Sequence, residues 1–244
     1  ILGVLIAIAV VEQLYQNNIA LPYAIDIIGF GDEEGTRFGS TLLGSRAVAG
    51  TWNHDWWELK DRNGISLKQA FIDFGLEPDN IHSAARNPDD LLAYLEVHIE
   101  QGPVLEDENL ALGIVTAIAG ARRFAIEIEG YAGHAGTVPM PMRKDALVGA
   151  ALGVVLVENI AKEFDVVATV GKIECGPGAV NVIPGHSKFT IDIRSGDDQL
   201  RDQALAKIQH ELDLICIERN LTATWNEIHN APAVVCADWM QSLQ

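Results

Sequence analysis

The sequence has few cysteines and few basic residues. Its 244 residues include three cysteines, Cys175, Cys216 and Cys236, and no Cys-x-x-Cys pair. This odd, widely spaced set argues against a disulfide framework or a thiolate zinc site, and it favours a reducing, cytoplasmic location. Lys and Arg total 17 against 34 Asp and Glu, a formal charge of −17. We therefore expect neither nucleic acid nor an anionic membrane as a partner.

A long apolar run is also missing. The apolar start, Ile1 to Val11, is followed at once by Glu12, whereas a membrane-spanning helix needs about 20 apolar residues. No basic segment precedes it, which argues against a signal peptide. Residues 1–17 are instead predicted to form a helix that is buried on most sides. The chain starts without Met, which suggests a missing upstream portion, although removal of an initiator Met is an alternative.

The first half of the chain alternates strand-like and helix-like patterns. Ala24 to Phe30 is apolar and β-branched, as expected of a buried parallel strand, and Leu95 to Ile99 is predicted to be a second, short strand. Residues 51–64 hold three of the five Trp and are predicted to be a surface excursion. This alternation predicts an α/β layer with a mostly parallel sheet. Helices are predicted over residues 41–49, 66–74 and 89–94.

The pattern changes near Gly120. Two segments, Arg123 to Glu129 and Lys188 to Arg194, alternate apolar and polar residues as half-exposed strands do. Together with two long helical patterns and two further strand patterns they predict the order β-α-β-β-α-β, with both helices on one face of an antiparallel sheet. We expect this unit, residues 119–229, to be inserted into a first domain formed by residues 1–118 and 230–244. The other predicted elements are helices 145–164 and 199–219 and strands 166–173 and 221–228.

Two motifs in the first half carry acids and a histidine. Gly31-Asp32-Glu33-Glu34-Gly35 follows the first predicted strand, at the edge where open α/β sheets bind ligands. One carboxylate there could bind a cation while the other exchanges a proton with water, although a solvated acidic turn is commoner. His98 lies near the end of the second predicted strand, where it could bind a metal or be a half-buried His that hydrogen-bonds to backbone.

The second half has two further motifs. His134 lies among small residues in Gly130 to Thr137, so that backbone and imidazole can approach a ligand closely, or the His is incidental to a tight turn. Asn181 could donate to a carbonyl or carboxylate, and Arg194 could form a two-pronged bond to a carboxylate. The commoner alternative for Arg194 is a surface ion pair with Asp192.

Together these runs resemble the M20 metallo-amidohydrolases. They are FGDEEGTRFGSTLLGSRAVAG, LEVHIEQGPVLE, GYAGHAGTVPMPMRKDA, GAVNVIPG and DIR. The subgroup they resemble most contains N-carbamoyl-L-amino-acid hydrolases, allantoate amidohydrolases and β-ureidopropionases, with a slight preference for allantoate amidohydrolase. The resemblance implies a hydrolase that acts on carbon–nitrogen bonds other than peptide bonds. Its substrate would be a small ureido-carboxylate, and ammonia and carbon dioxide would be released.

The resemblance also implies roles for individual residues. Glu33 would be the general base, and Glu34 and His98 would be metal ligands. It implies a metallohydrolase domain carrying two divalent ions, Zn²⁺ or Mn²⁺, and a ferredoxin-like smaller domain that forms a homodimer. Substrate-binding roles would fall to Gln101, His134, Asn181 and Arg194.

Part of the family's metal-ligand set has no counterpart in this sequence. An upstream His-x-Asp motif, a bridging Asp and a downstream Gly-His-Asp run are missing; His54-Asp55 and Gly185-His186 do not match them. We therefore interpret the chain as a fragment, or a partly described protein, that binds metal weakly or not at all and is inactive alone. The assignment also requires Glu33, Glu34 and His98 to converge on one cation position. The rival hypotheses are another M20 aminoacylase or peptidase and a non-catalytic dimerisation module.

Overall fold

The structure, a computed structural model, describes residues 1–242 and divides the chain into two compact units, Ile1–Asn109 and Leu110–Gln244. The domain boundaries expected from the sequence stay a prediction, and Leu243 and Gln244 of the expected return segment lie outside the described residues. Among the helices described up to Ser242, none combines the length and apolar character needed to cross a membrane.

The first unit contains short helices around a small aromatic core. Its helices are α1 (Leu2–Gln16), α2 (Leu43–Val48), α3 (Leu67–Asp73) and α4 (Val104–Asp107), with 3-10 turns at His54–Glu58, Pro78–Ala84 and Pro88–Asp90. The Ser66 hydroxyl accepts a hydrogen bond from the Gln69 N–H (3.1 Å) and so caps α3. After α3, Gly75 has a φ of +87° and ends the helix.

Five expectations for this unit are wrong. Helix α1 has no buried residue. The segments 24–30 and 95–99 are not strands; in residues 1–109, all of them described, the one β-bridge is Lys60–Ser66. A strand needs a hydrogen-bonded neighbour, and neither segment has one here. Of the predicted helix 89–94, only Asp89 and Asp90 are helical, and they belong to the 3-10 turn Pro88–Asp90. The segment 51–64 is not a mere surface excursion, because Trp57 is buried and contacts Trp52 with ring centroids 4.7 Å apart.

The second unit is an antiparallel sheet covered by two helices. Its main strands are β2 (Gly120–Glu129), β4 (Val167–Thr169), β7 (His186–Ser195) and β8 (Thr222–Ala231), in the order β4-β7-β2-β8, and β5 (Ile173–Gly176) also pairs with β7. The helices are α5 (Ala146–Phe164) and α6 (Asp198–Glu218). The remaining elements are β1 (Ala117–Ile118), β3 (Gly133–His134), β6 (Val182–Ile183), β9 (Val234–Val235), α7 (Asp238–Gln241) and a 3-10 turn at Met140–Met142.

This order confirms the predicted β-α-β-β-α-β unit, with one difference. The predicted strand 166–173 is two strands, β4 and β5, which pair with different parts of β7. Alternation explains the core, because every second side chain of β2 and β7 points to the helices. Phe189 and Ile126 are 0% exposed there. Each helix has an aspartate N-cap: the Asp145 carboxylate accepts from the Leu147 N–H (3.1 Å), and Asp197 caps α6 in the same way.

Candidate functional site

The acidic turn of the first unit has a fixed backbone and free side chains. The Glu33 carbonyl accepts a hydrogen bond from the Leu42 N–H at 2.8 Å. Gly35 is buried with a φ of +65°, and a Cβ there would lie 2.7 Å from the Ser40 carbonyl carbon, so the turn requires glycine. The side chains of Glu33 and Glu34 are exposed. The turn therefore exposes the carboxylates of Glu33 and Glu34 to solvent, and its backbone conformation does not depend on them.

His98 is exposed, and its ring orientation is set by a local bond. Its Nδ1 lies 2.5 Å from the Ile99 carbonyl oxygen, which can only accept a hydrogen bond. Nδ1 must therefore carry the proton, and in the neutral ring the free lone pair is on Nε2. A metal-binding imidazole usually donates the N–H of its other nitrogen to a carbonyl or carboxylate in this way. Gln101, which is also exposed, has a φ of +55°.

Two further acidic groups lie near these residues in sequence. The Tyr94 hydroxyl donates to Glu96 Oε2 (2.9 Å), and partial burial, with this bond, raises the pKa of Tyr94 to about 12. Glu96 is therefore engaged with Tyr94. In the acidic turn, Asp32 Oδ2 is buried and meets no hydrogen-bond donor within residues 1–242, although such atoms are normally paired.

The described residues do not assemble a metal centre. Within residues 1–242, no group of three or more His, Cys, Asp or Glu side chains lies close enough to hold a metal ion. The expected convergence of Glu33, Glu34 and His98 is therefore not observed. The physical reason is that both segments preceding these residues are unpaired, so no sheet brings their ends to a common edge. The tautomer of His98 is the one that a metal ligand needs, but the described residues do not place enough other metal-binding side chains around it.

In the second unit the structure brings His134 and Asn181 together. Strands β3 and β6 are antiparallel, with His134 opposite Val182, and the Ala135 N–H donates to the Asn181 carbonyl at 2.9 Å. The Gly136 N–H donates to His134 Nδ1 at 3.1 Å. An amide N–H only donates, so Nδ1 accepts and the neutral ring carries its proton on Nε2. The exposed His134 can therefore offer an Nε2–H to a carbonyl oxygen.

Arg194 lies on β7 and is bound by its neighbour. Its Nε and Nη2 donate to the two carboxylate oxygens of Asp192 at 2.8 and 2.9 Å. Arg123 on β2 donates to the same carboxylate at 2.7 Å. The Arg194 hydrogen bond is the main cause that holds the pKa of Asp192 below its ordinary value. The commoner alternative for Arg194, a surface ion pair, is thus present, and its role toward a substrate stays a prediction.

Two residues with local structural roles were missed by the sequence analysis. Glu100 accepts hydrogen bonds from the Val104 N–H (2.8 Å) and the Leu105 N–H (3.1 Å) and so holds the start of α4. Arg143 donates to two carbonyl oxygens of the loop that follows His134. Both residues lie in the runs that carry the family resemblance, but no periodicity singles them out because they belong to loops.

Comparison with known proteins gives one family. A sequence profile described as "Peptidase family M20/M25/M40" matches residues 1–243. The chain is 39% identical over 238 residues to an N-carbamoyl-L-amino acid amidohydrolase of Geobacillus stearothermophilus, covering 97% of this chain and 58% of that protein. It is 38% identical over 267 residues to an allantoate deiminase of Arabidopsis thaliana, covering 100% of this chain and 51% of that protein.

A solved structure agrees with these relatives. The chain matches a hydantoinase/carbamoylase family amidase from Burkholderia multivorans with a TM-score of 0.85 and 31% identity, covering 94% of this chain and 56% of that one. This match confirms the mixed α/β fold class. The chain thus spans little more than half the length of the proteins it matches.

Proposed function

The chain belongs to the M20/M25/M40 peptidase family, and we propose that its protein hydrolyses the ureido carbon–nitrogen bond of allantoate or an N-carbamoyl amino acid. The observation that carries this proposal is the similarity over nearly the whole chain to an enzyme of each kind, at 39% and 38% identity. Ammonia and carbon dioxide would be the final products of the carbamoyl group.

The proposed chemistry gives a role to each candidate residue. Glu33, with its exposed carboxylate, takes a proton from the attacking water and returns it to the leaving nitrogen. His134 donates its Nε2–H to the ureido carbonyl oxygen, where negative charge develops. Arg194 and Asn181 hold the substrate carboxylate, and Gln101 also contacts the substrate.

Metal ions belong to the proposal for the longer protein. The family is generally metal-dependent, and Glu34 and His98 are the proposed ligands from this chain, with His98 Nε2 as its donor atom. Two Zn²⁺ or Mn²⁺ ions would supply Lewis acidity toward water and the carbonyl. Oxygen and imidazole ligands suit either ion. The 244-residue chain alone is proposed to bind these ions weakly or not at all and to be inactive.

Assembly and location are proposals as well. We expect a homodimer formed through the smaller domain, in the cytoplasm, with a small molecule as substrate. Cys175, Cys216 and Cys236 are free thiols in the structure, which supports a reducing compartment.

The test is a substrate panel applied to the protein translated from the complete coding sequence. Allantoate, N-carbamoyl-β-alanine, N-carbamoyl-L-amino acids and N-acetyl-L-amino acids are each incubated with Mn²⁺ or Zn²⁺, and ammonia or free amino acid is measured. Release of ammonia from a ureido substrate, without hydrolysis of the N-acetyl compounds, is expected. Activity on N-acetyl amino acids or dipeptides alone would assign an aminoacylase or peptidase instead. Ureido hydrolysis by the 244-residue chain alone would contradict its proposed inactivity.

A second candidate is a non-catalytic dimerisation module. It is favoured by one observation, the lack of a metal-holding group within residues 1–242. Sedimentation of the 244-residue chain, with and without Mn²⁺, together with the substrate panel, separates the two hypotheses. A stable dimer from a complete protein that hydrolyses none of the panel would favour the module.

A further inference from the structure

The loop that follows His134 is a tight turn with little packing. Thr137 and Val138 each donate their N–H to the His134 carbonyl at 3.2 Å, and the Gly136 N–H donates to His134 Nδ1. Gly136 and Thr137 are exposed, and Ala135 is only half-buried. Exposed small residues bury little apolar surface, so hydrogen bonds must decide where this loop and the imidazole lie.

Arg143 makes two of those hydrogen bonds. Its Nη2 donates to the Ala135 carbonyl at 2.6 Å, and its Nε donates to the Val138 carbonyl at 3.1 Å. The two acceptors stand on either side of Gly136. Because a guanidinium is planar and has its donors in a fixed fork, it holds both carbonyls at once in a way that a Lys ammonium cannot. Arg143 is half-buried, which strengthens these charge-assisted bonds.

We propose that Arg143 is the positioning residue for His134: it fixes the 135–138 loop, so that the Gly136 N–H meets His134 Nδ1 and the ring presents Nε2–H. Its importance for catalysis rests on the proposed function, whereas its effect on the ring does not. Gly136 belongs to the same device, because a Cβ there would lie 3.3 Å from His134 Cε1 and press on the imidazole.

A general structural role fits less well. Both acceptors of Arg143 belong to the His134 loop, and none of its side-chain bonds within residues 1–242 goes to α5, α6 or the main sheet. The next residue, Lys144, has the same charge, but its exposed side chain makes no hydrogen bond or ion pair in the described part of the chain. Lys144→Met is therefore a matched control for Arg143→Met.

The first experiment needs no activity. The 244-residue chain and the variants Arg143→Met, Arg143→Lys and Lys144→Met are labelled with ¹⁵N. Imidazole ¹⁵N spectra read the tautomer of His134, and hydrogen exchange reads the amides of Gly136, Thr137 and Val138. In Arg143→Met, the His134 ring should populate its second tautomer, and these amides should exchange about tenfold faster, as expected for the loss of one or two hydrogen bonds. Arg143→Lys should lie between, and Lys144→Met should match the wild type.

The proposal is overturned if Arg143→Met and Arg143→Lys both keep one tautomer and wild-type exchange, or if Lys144→Met has the same effect as Arg143→Met. Circular dichroism checks folding, and if Arg143→Met unfolds, the milder Arg143→Lys decides. In the complete protein, Arg143→Met should lower kcat about 10- to 100-fold, as misplacement of a reacting group does, with partial rescue by Arg143→Lys. A wild type without ureido hydrolysis defeats the proposed function, but the spectra still decide the role of Arg143.

Discussion

The two units differ in how they treat their apolar residues. In the second unit, the faces of β2 and β7 that point to the helices are largely covered, and Phe189 and Ile126 are 0% exposed. In the first unit, α1 buries no residue, and Leu5 and Ile8 are 56% and 48% exposed. An apolar pattern therefore fixes an element securely only where another element covers it.

The two histidines with proposed roles, His98 and His134, also differ between the units, in this case in ring tautomer. His98 donates from Nδ1 to a carbonyl, which leaves a lone pair on Nε2, whereas His134 accepts at Nδ1 from an amide, which leaves a proton on Nε2. The Nε2 of His98 could accept a cation, and the Nε2–H of His134 could donate a hydrogen bond. The difference separates a role in the first unit from a role in the second, and it comes from single backbone atoms next to each ring.

The largest predicted effect is the loss of kcat on substitution of Glu33 in the acidic turn. In the complete protein, Glu33→Gln should lower kcat by about 10² to 10⁴, because the proton-accepting group is lost. Its side chain is exposed, so the free energy of unfolding should not change. Ureido hydrolysis and urea denaturation measure the two quantities, and Glu108→Gln, another exposed acid of the first unit, is the control. A near-normal kcat would refute the role of Glu33.

Core substitutions test the contrast between the units. Phe189→Ala should lower the free energy of unfolding by about 3–5 kcal/mol, because it leaves a cavity under α5 and α6. Leu5→Ala on the exposed face of α1 should change it by no more than about 0.5 kcal/mol. Urea denaturation followed by circular dichroism measures both in the 244-residue chain. Equal losses would mean that α1 is covered in solution and that the contrast is wrong.

The same contrast explains how much of the fold was predictable. The second unit could be predicted from alternation and periodicity, because its strands pair with each other and its two helices cover the apolar face of the sheet. The order and most of the bounds were correct, except that residues 170–172 lie between β4 and β5 and interrupt the predicted strand 166–173. In the first unit, segments 24–30 and 95–99 had the composition of strands, but composition alone does not supply a hydrogen-bonded neighbour.

The geometry around the candidate residues could not be predicted from the sequence, and their roles stay predictions. The neighbourhood of His134 and Asn181 depends on the short β3–β6 pairing, which no periodicity reveals because each strand has two residues. The ring tautomers depend on the carbonyl of Ile99 and the amide of Gly136. Every residue type except proline offers the same backbone donor and acceptor, so a sequence pattern does not indicate which backbone atom will bind a given side chain.

Arg194 tests whether the sheet of the second unit takes part in binding. In the complete protein, Arg194→Gln should mainly raise KM, by a factor that corresponds to about 2–5 kcal/mol for a desolvated charge pair. The matched control is Lys188→Gln, because Lys188 also lies on β7 and pairs with an acid, Glu127, at 2.7 Å. Initial rates over a range of substrate concentrations separate KM from kcat. Equal KM values for both variants would leave Arg194 with only its ion pair to Asp192.

The smallest effect concerns that ion pair and the pH. Hydrogen bonds from Arg194 and Arg123 hold the pKa of Asp192 below its ordinary value of 3.8, against the opposing effect of burial. A lowered folded-state pKa stabilises the protein above the unfolded-state pKa, and this stability is lost as the pH falls through the folded-state pKa. Asp192→Asn should therefore lower the free energy of unfolding by up to about 1 kcal/mol at neutral pH, and the difference from wild type should shrink in acid. Urea denaturation across this pH range measures it, and a difference that stays constant into strong acid would show that packing, rather than charge, accounts for the loss.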